Sequence, residues 1–225
     1  MPPSLQGRAQ KAARQKADRF RNLYGMRNEE VLRDGWRAIR KEAAGGVDHV
    51  SAQAYEQNLA GNIRSLVERL RRKRSRATLV KRHSMPKGDG PLRPLGIPAV
   101  EDTLVQLAVA RLLEAMYAQD FLRWSYGYRP EVGALEAGDK LTIKRQCGRY
   151  NYVVEADIKG FFDNIDHDGM MRRLAERSDD QALLRLVTKW LKAGSLHTDG
   201  TVVHPATGTP QGGTVTLPTK LPTCW

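Results

Sequence analysis

Apolar positions in this chain change their period several times, and each change marks an element. Val31, Leu32, Trp36 and Ile39 return every three or four residues, which predicts a short amphipathic helix over 28–43. Asn28 stands as its N-cap, with Glu29 and Glu30 in the first turn. Gly45 and Gly46 break the pattern. Ser51 then caps a second helix running to about residue 74, with Tyr55, Leu59, Ile63, Leu66 and Leu70 on one face, a stripe that reads as core packing. Residues 102–118 are broadly apolar behind an acidic start and predict a buried helix. Two more helices follow over 167–177 and 179–194, the second burying Leu183, Leu184, Val187, Trp190 and Leu191 and closed by Gly194. Strand signals lie between them. Residues 79–98 predict a β-hairpin turning at Gly88-Asp89-Gly90, Tyr152–Asp157 a strand, and residues 195–207 a weak hairpin around Asp199-Gly200. Residues 1–20, rich in Arg, Lys, Gln and Ala, are expected to be frayed or helical only on a partner.

Charge sharpens this picture. The 225 residues carry a net charge of +12, and it is all in the first third. Residues 1–82 hold 20 Lys/Arg against 8 Asp/Glu, whereas residues 83–225 hold 17 of each. The densest group is Arg69, Arg71, Arg72, Lys73 and Arg74, at the end of the second helix. Such a patch binds a polyanion through counterion release, or else is a solvated tail that keeps the chain soluble. Cys147 and Cys224 have no partner at metal-site spacing and suggest no disulfide framework. With no apolar run of membrane-spanning length and no secretion signal, a cytoplasmic protein is expected.

Candidate chemistry sits where the patterns meet. Asp157 ends the apolar run Tyr152-Val153-Val154, and a carboxylate ending a buried strand needs a positive offset such as a divalent cation. From spacing alone, an Asp that turns the chain is the competing reading. Phe161 and Phe162 follow, too apolar for an ordinary surface turn, and Asp166 then caps the next helix. Lys87 and Arg93 bracket the hairpin turn and suit a triphosphate, unless they are unrelated surface charges. In "FLRWSYGYRP" (121–130) the aromatics can stack on bases or pack in the core. Phe121 and Trp124 read as core and Arg129 as near a nucleotide or template. "GTPQGG" (208–213) lets backbone approach a ligand closely and offers the Gln211 amide, or is a glycine-rich turn.

Taken together, "VVEADIKGFFDNIDHD", "MPKGDGPLRPLGIP" (85–98), "SYGYRP" (125–130) and "GTPQGG", in that family's order along the chain, resemble the reverse transcriptases encoded by group II introns. The resemblance covers about residues 20–213. It implies an α+β fold, the fingers (83–150) and partial palm (151–213) of a right-hand polymerase behind a basic helical extension (1–82), with an aberrant tail at 214–225. It also implies an RNA-directed DNA polymerase using Mg²⁺, deoxynucleoside triphosphates, an intron RNA template and a DNA primer. Residue by residue, the roles carried over are Asp157 as a catalytic aspartate, Asp157 and Ile158 at the metal, and Lys87 and Arg93 on the nucleotide's phosphates. Phe162 falls at the sugar gate, Gln211 beneath the nucleotide, and Ile158 among the residues that bind the nucleotide. The basic segment with Arg69, Arg71, Arg72, Lys73 and Arg74 is expected to hold RNA.

The chain also departs from that family. Its enzymes hold two metals with three aspartates, two of them in a Tyr-x-Asp-Asp hairpin, and no Asp-Asp follows Gly213 here. Asp179-Asp180 precedes the glycine motif and reads as a helix cap. After Gly213 the sequence "TVTLPTKLPTCW" carries two prolines where an apolar helix is expected. The expectation is a truncated or frameshifted gene whose product is inactive alone, or a non-catalytic remnant that binds intron RNA. A DNA-binding regulator would need a helix-turn-helix, which is not found.

Overall fold

A computed structural model describes residues 3–15, 18–24, 28–87, 90–127, 132–148 and 151–209. Its centre is helix α5 (Val100–Tyr117), apolar around most of its circumference and buried accordingly. Helix α2 (Glu29–Ala38) packs on it through Leu32 and Trp36, closely enough that a Cβ on Gly35 would stand 3.1 Å from Leu104. Asn28 caps α2 by accepting from the Val31 N–H at 2.9 Å, as its sequence predicts. The helix expected over 51–74 is divided into α3 (Ala52–Glu56) and α4 (Leu59–Arg71). Asn58 leaves helical geometry there, and its side-chain amide lies over Gly61, its oxygen 2.6 Å from where a Cβ would stand.

Strands β1 (Val80–Lys87) and β2 (Gly90–Ile97) form the expected hairpin. Two-residue strands β3 (Ser195–Leu196) and β4 (Val202–Val203) extend it into a sheet of order β2-β1-β3-β4, with β3 parallel to β1. Helices α7 (His167–Arg177) and α8 (Gln181–Leu191) pack together, and α8 buries the five apolar residues its pattern named. Asp180 caps α8 through the Ala182 and Leu183 amides. Gly194 serves close approach rather than helix closure, since α8 already ends at Lys192. A Cβ on Gly194 would stand 2.8 Å from His204 and 3.0 Å from Leu79.

Three expectations are corrected. Residues 3–14 form helix α1 (Pro3–Arg14), which packs on α5 and buries Leu5 and Ala12 in the common core, so this stretch is helical without any partner molecule. The chain beyond α1 is strapped across the α7–α8 corner. Phe20 and Ser178 form a β-bridge, Arg19 pairs with Asp179 at 2.8 Å, and the Arg177 guanidinium donates to the Asp18 carbonyl at 3.1 Å. Trp124 lies outside the core, 66% exposed, with the Lys144 ammonium 4.4 Å from its ring centroid. Residues 152–157 form no strand, and Tyr152 and Val154 are each 91% exposed. β-propensity supplies no ladder by itself, and no segment among the described residues lies alongside to provide one. Just before them stands helix α6 (Ala134–Gln146), which buries no residue and leaves Leu135, Leu141 and Ile143 exposed.

One buried carboxylate makes the fold pH-sensitive. Burial pushes Asp102 above the usual carboxylate range, opposed by donors from the Thr78 amide at 2.8 Å and the Trp190 indole at 3.4 Å. Between the unfolded and the raised folded pKa the native chain holds the extra proton. Stability therefore falls as pH rises through that window, from about pH 4 upward. Urea unfolding across this range should show that slope in the parent chain and a flatter one in Asp102→Asn.

Candidate nucleotide and nucleic-acid site

The chain reverses direction after Asp157 through Gly160, whose φ of +63° lies in the left-handed region that favours glycine. The Asn164 amide donates to the Gly160 carbonyl at 2.8 Å and fixes the turn. A short 3-10 turn, Phe161–Asp163, then sets Phe161 and Phe162 edge to face, ring centroids 5.2 Å apart, both packed against the core. Asp166 caps α7 by accepting from the Gly169 amide.

Residues 207–209 dock onto this turn from more than forty positions along the chain. The Gly208 amide donates to the Ile165 carbonyl and the Thr209 amide to the Phe162 carbonyl, each at 2.8 Å. The Thr207 hydroxyl donates to the Asp163 carbonyl at 3.1 Å, and His167 Nε2 lies 2.7 Å from the Gly208 carbonyl. Gly208 has φ +81°, and a Cβ there would stand 2.7 Å from the Asp163 carbonyl oxygen, so close approach and backbone sign both require glycine. A cavity of about 290 Å³ separates this junction from the hairpin. Val80, Arg82, Leu95 and Gly96 line one side, and Asp163, Gly208 and Thr209 the other.

The residues named from the sequence fall out unevenly around this junction. Phe162 stands in it, and its carbonyl carries one of the bonds. Asp157 is exposed on the segment leading in, and Ile158 is 69% exposed, its carbonyl accepting from the Phe161 amide at 3.3 Å. The side chains of Lys87 and Arg93 lie outside the described residues, as do Arg129 and Gln211. In the basic group, Arg69 is held by Glu101 through two 2.7 Å contacts, and Arg72 pairs with Glu68 at 2.7 Å. Arg71, Lys73 and Arg74 are exposed and enter no ion pair among the described residues. His167 is the residue that sequence reading left without a role, because nothing in local spacing marks a first-turn histidine as reaching a carbonyl 41 positions away.

A divalent cation would find a partial ligand set here. No three His, Cys, Asp or Glu side chains come together among the described residues; Asp157 supplies one carboxylate, and the Ile158 carbonyl, which accepts from the Phe161 amide at 3.3 Å, keeps a second lone pair. No helix among the described residues is long and apolar enough to cross a membrane.

The motifs brought together here belong to a recognised lineage. Residues 85–216, more than half of the chain, match the family model "Reverse transcriptase (RNA-dependent DNA polymerase)", and the chain belongs to that family. Within it, several relatives carry names that tie them to introns, group II introns among them, in agreement with the motif resemblance. "Group II intron-encoded protein LtrA" of Lactococcus lactis subsp. cremoris is 41% identical over 128 residues, 56% of this chain and 21% of that protein. "Protein YkfC" of Escherichia coli (strain K12) is 35% identical over 176 residues, 76% of this chain and 45% of that protein. "Putative COX1/OXI3 intron 2 protein" of Saccharomyces cerevisiae is 31% identical over 140 residues, 60% of this chain and 16% of that protein. The chain thus spans less than half the length of these relatives. Among solved structures, a "Partial Cas6-RT-Cas1--Cas2 complex" superposes over 88% of this chain and 33% of that one, with TM-score 0.55 and 23% identity, a likeness of fold.

Proposed function

We propose that these residues form the fingers and the first part of the palm of an RNA-directed DNA polymerase encoded by a group II intron. In this reading residues 83–150 are the fingers, 151–213 the partial palm, and 1–82 the basic extension. The carrying observation is the docking of residues 207–209 onto the Phe162 turn, which joins two motifs far apart in sequence at one junction. Asp157 and the Ile158 carbonyl face the reacting nucleotide in this assignment. Phe162 is the sugar gate, Gln211 stands beneath the nucleotide, and Lys87 and Arg93 hold its phosphates. Intron RNA template, DNA primer and deoxynucleoside triphosphates are the partners, and the cysteine usage suits the cytoplasm. Exposure of Arg71, Lys73 and Arg74 supports a second role, holding intron RNA without catalysis.

By itself the 225-residue chain should bind an RNA–DNA primer–template and extend nothing in Mg²⁺. Its sequence holds one of the three aspartates, and loss of such groups removes most transition-state stabilisation. Anisotropy titration and a primer-extension gel read the two arms. Absence of any nucleic-acid binding would overturn the assignment, and extension that Asp157→Asn abolishes would overturn the inactivity.

A further inference from the structure

His167 is 7% exposed and sits in the first turn of α7, where residues 207–209 dock onto the Phe162 turn. Its Nε2 meets the carbonyl of Gly208, itself buried, at 2.7 Å. A carbonyl only accepts, so Nε2 carries the proton in this contact. The ring is carried by α7, whose Met170 and Leu174 are each 2% exposed and whose N-terminus Asp166 caps. His167 is therefore a donor mounted on a fixed element. The two amide bonds of Gly208 and Thr209 run to the other side of the same junction, the Phe162–Ile165 turn.

We propose that His167 is a positioning residue: through the Gly208 carbonyl it locks the start of the glycine motif, residues 208–209, to the helix following the Phe162 turn. Gln211 follows Gly208 by three residues in sequence, so the pin and the residue proposed to meet the nucleotide belong to one short motif. The close fit at Gly208, where even a methyl group would meet the Phe162 and Asp163 carbonyls, leaves the loop little room to slide. Freed from His167, the Gly208 carbonyl is a buried acceptor without its donor, and the loop gains by turning it towards water. The effect on nucleotide rests on the reading that Gln211 touches it; the pin itself does not.

The test uses the 225-residue chain and three substitutions. His167→Gln places an amide N–H near the Nε2 position, His167→Asn places one short of it, and His167→Leu fills volume without a donor. Hydrogen exchange at the Gly208 and Thr209 amides reads the pin directly, with thermal unfolding as the control for global stability. The Leu and Asn variants should exchange there about tenfold faster than the parent, while Gln stays within about threefold. Affinity for a fluorescent deoxyadenosine triphosphate analogue should follow the same order, about five- to tenfold weaker in Leu and Asn. Parental exchange at 208–209 in both Leu and Asn variants overturns the proposal, as does an effect of the Gln variant equal to that of Asn. If His167→Leu fails to fold, the Gln–Asn contrast decides. Should the parent bind no nucleotide at all, the reading of Gln211 fails and the exchange result still decides the pin.

Discussion

Replacing Arg71, Lys73 and Arg74 together by glutamine should weaken binding of structured RNA by roughly a hundredfold at about 0.15 M salt. The estimate follows from counterion release. Each phosphate contact contributes about 0.9 to the slope of log affinity against log salt, so losing three should flatten that slope by roughly 3. These side chains are chosen because they are exposed and enter no ion pair among the described residues. Far-ultraviolet circular dichroism should not change, since α4 ends where they begin. Arg69→Gln is the informative contrast. Its guanidinium already meets Glu101 across a half-exposed surface, so its loss should alter RNA affinity far less, at a stability cost within about 1 kcal/mol. Asp157→Asn should leave binding at the parental level. An unchanged salt slope in the triple variant would reduce the basic segment to a solubilising role.

Asp120→Ala should lower stability by about 3–5 kcal/mol, or about 10 °C in Tm for a chain of this size. Asp120 and Arg177 meet at 3.1 Å with both side chains only 9% exposed, so deleting the acid strands a buried guanidinium. That same guanidinium holds the Asp18 carbonyl and stands 5.7 Å from the Phe20 ring centroid. The damage should spread to the N-terminal strap, visible as faster hydrogen exchange at the Phe20 amide, which donates to the Arg177 carbonyl at 2.9 Å. Joint replacement by apolar residues of matched volume, Asp120→Leu with Arg177→Met, should recover part of the loss, because the desolvation cost of both charges disappears. If Asp120→Ala unfolds at the parental temperature, the pair is solvated in solution and does not organise the corner.

Elements that bury one apolar face were legible in the sequence, because burial and period express the same constraint. The α8 stripe, the α5 run and the caps Asn28 and Asp180 are local facts, visible within a few residues. Helix α6 buries nothing, so no apolar stripe announced it. The Tyr152–Asp157 segment has strand-forming residues but no neighbour among the described residues, and a ladder is a property of two segments. Trp124 was read as core from its chemistry alone, yet it stays at the surface beside Lys144. The candidate site divides in the same way. Its glycines and aromatics showed in the motifs, while His167 meeting Gly208 depends on a fold that brings together residues 41 apart.

The strap that joins residues 15–24 to 175–180 also sets a clock on synthesis. Its bonds span 156 to 162 positions, from Arg19 with Ala175 and Tyr24 with Asp180 to Arg177 with Gln15. Contacts of such range form late, after the closure entropy of the intervening chain has been met. At ordinary ribosomal speed the first residues wait roughly 8–30 s before their docking site leaves the tunnel. During that interval Arg19 and Arg21, which pair with Asp179 in the folded chain, are presented on the nascent chain without that partner. A basic stretch that waits for its acidic partner is open to any polyanion at hand, and synthesis ends that exposure when Asp179 arrives.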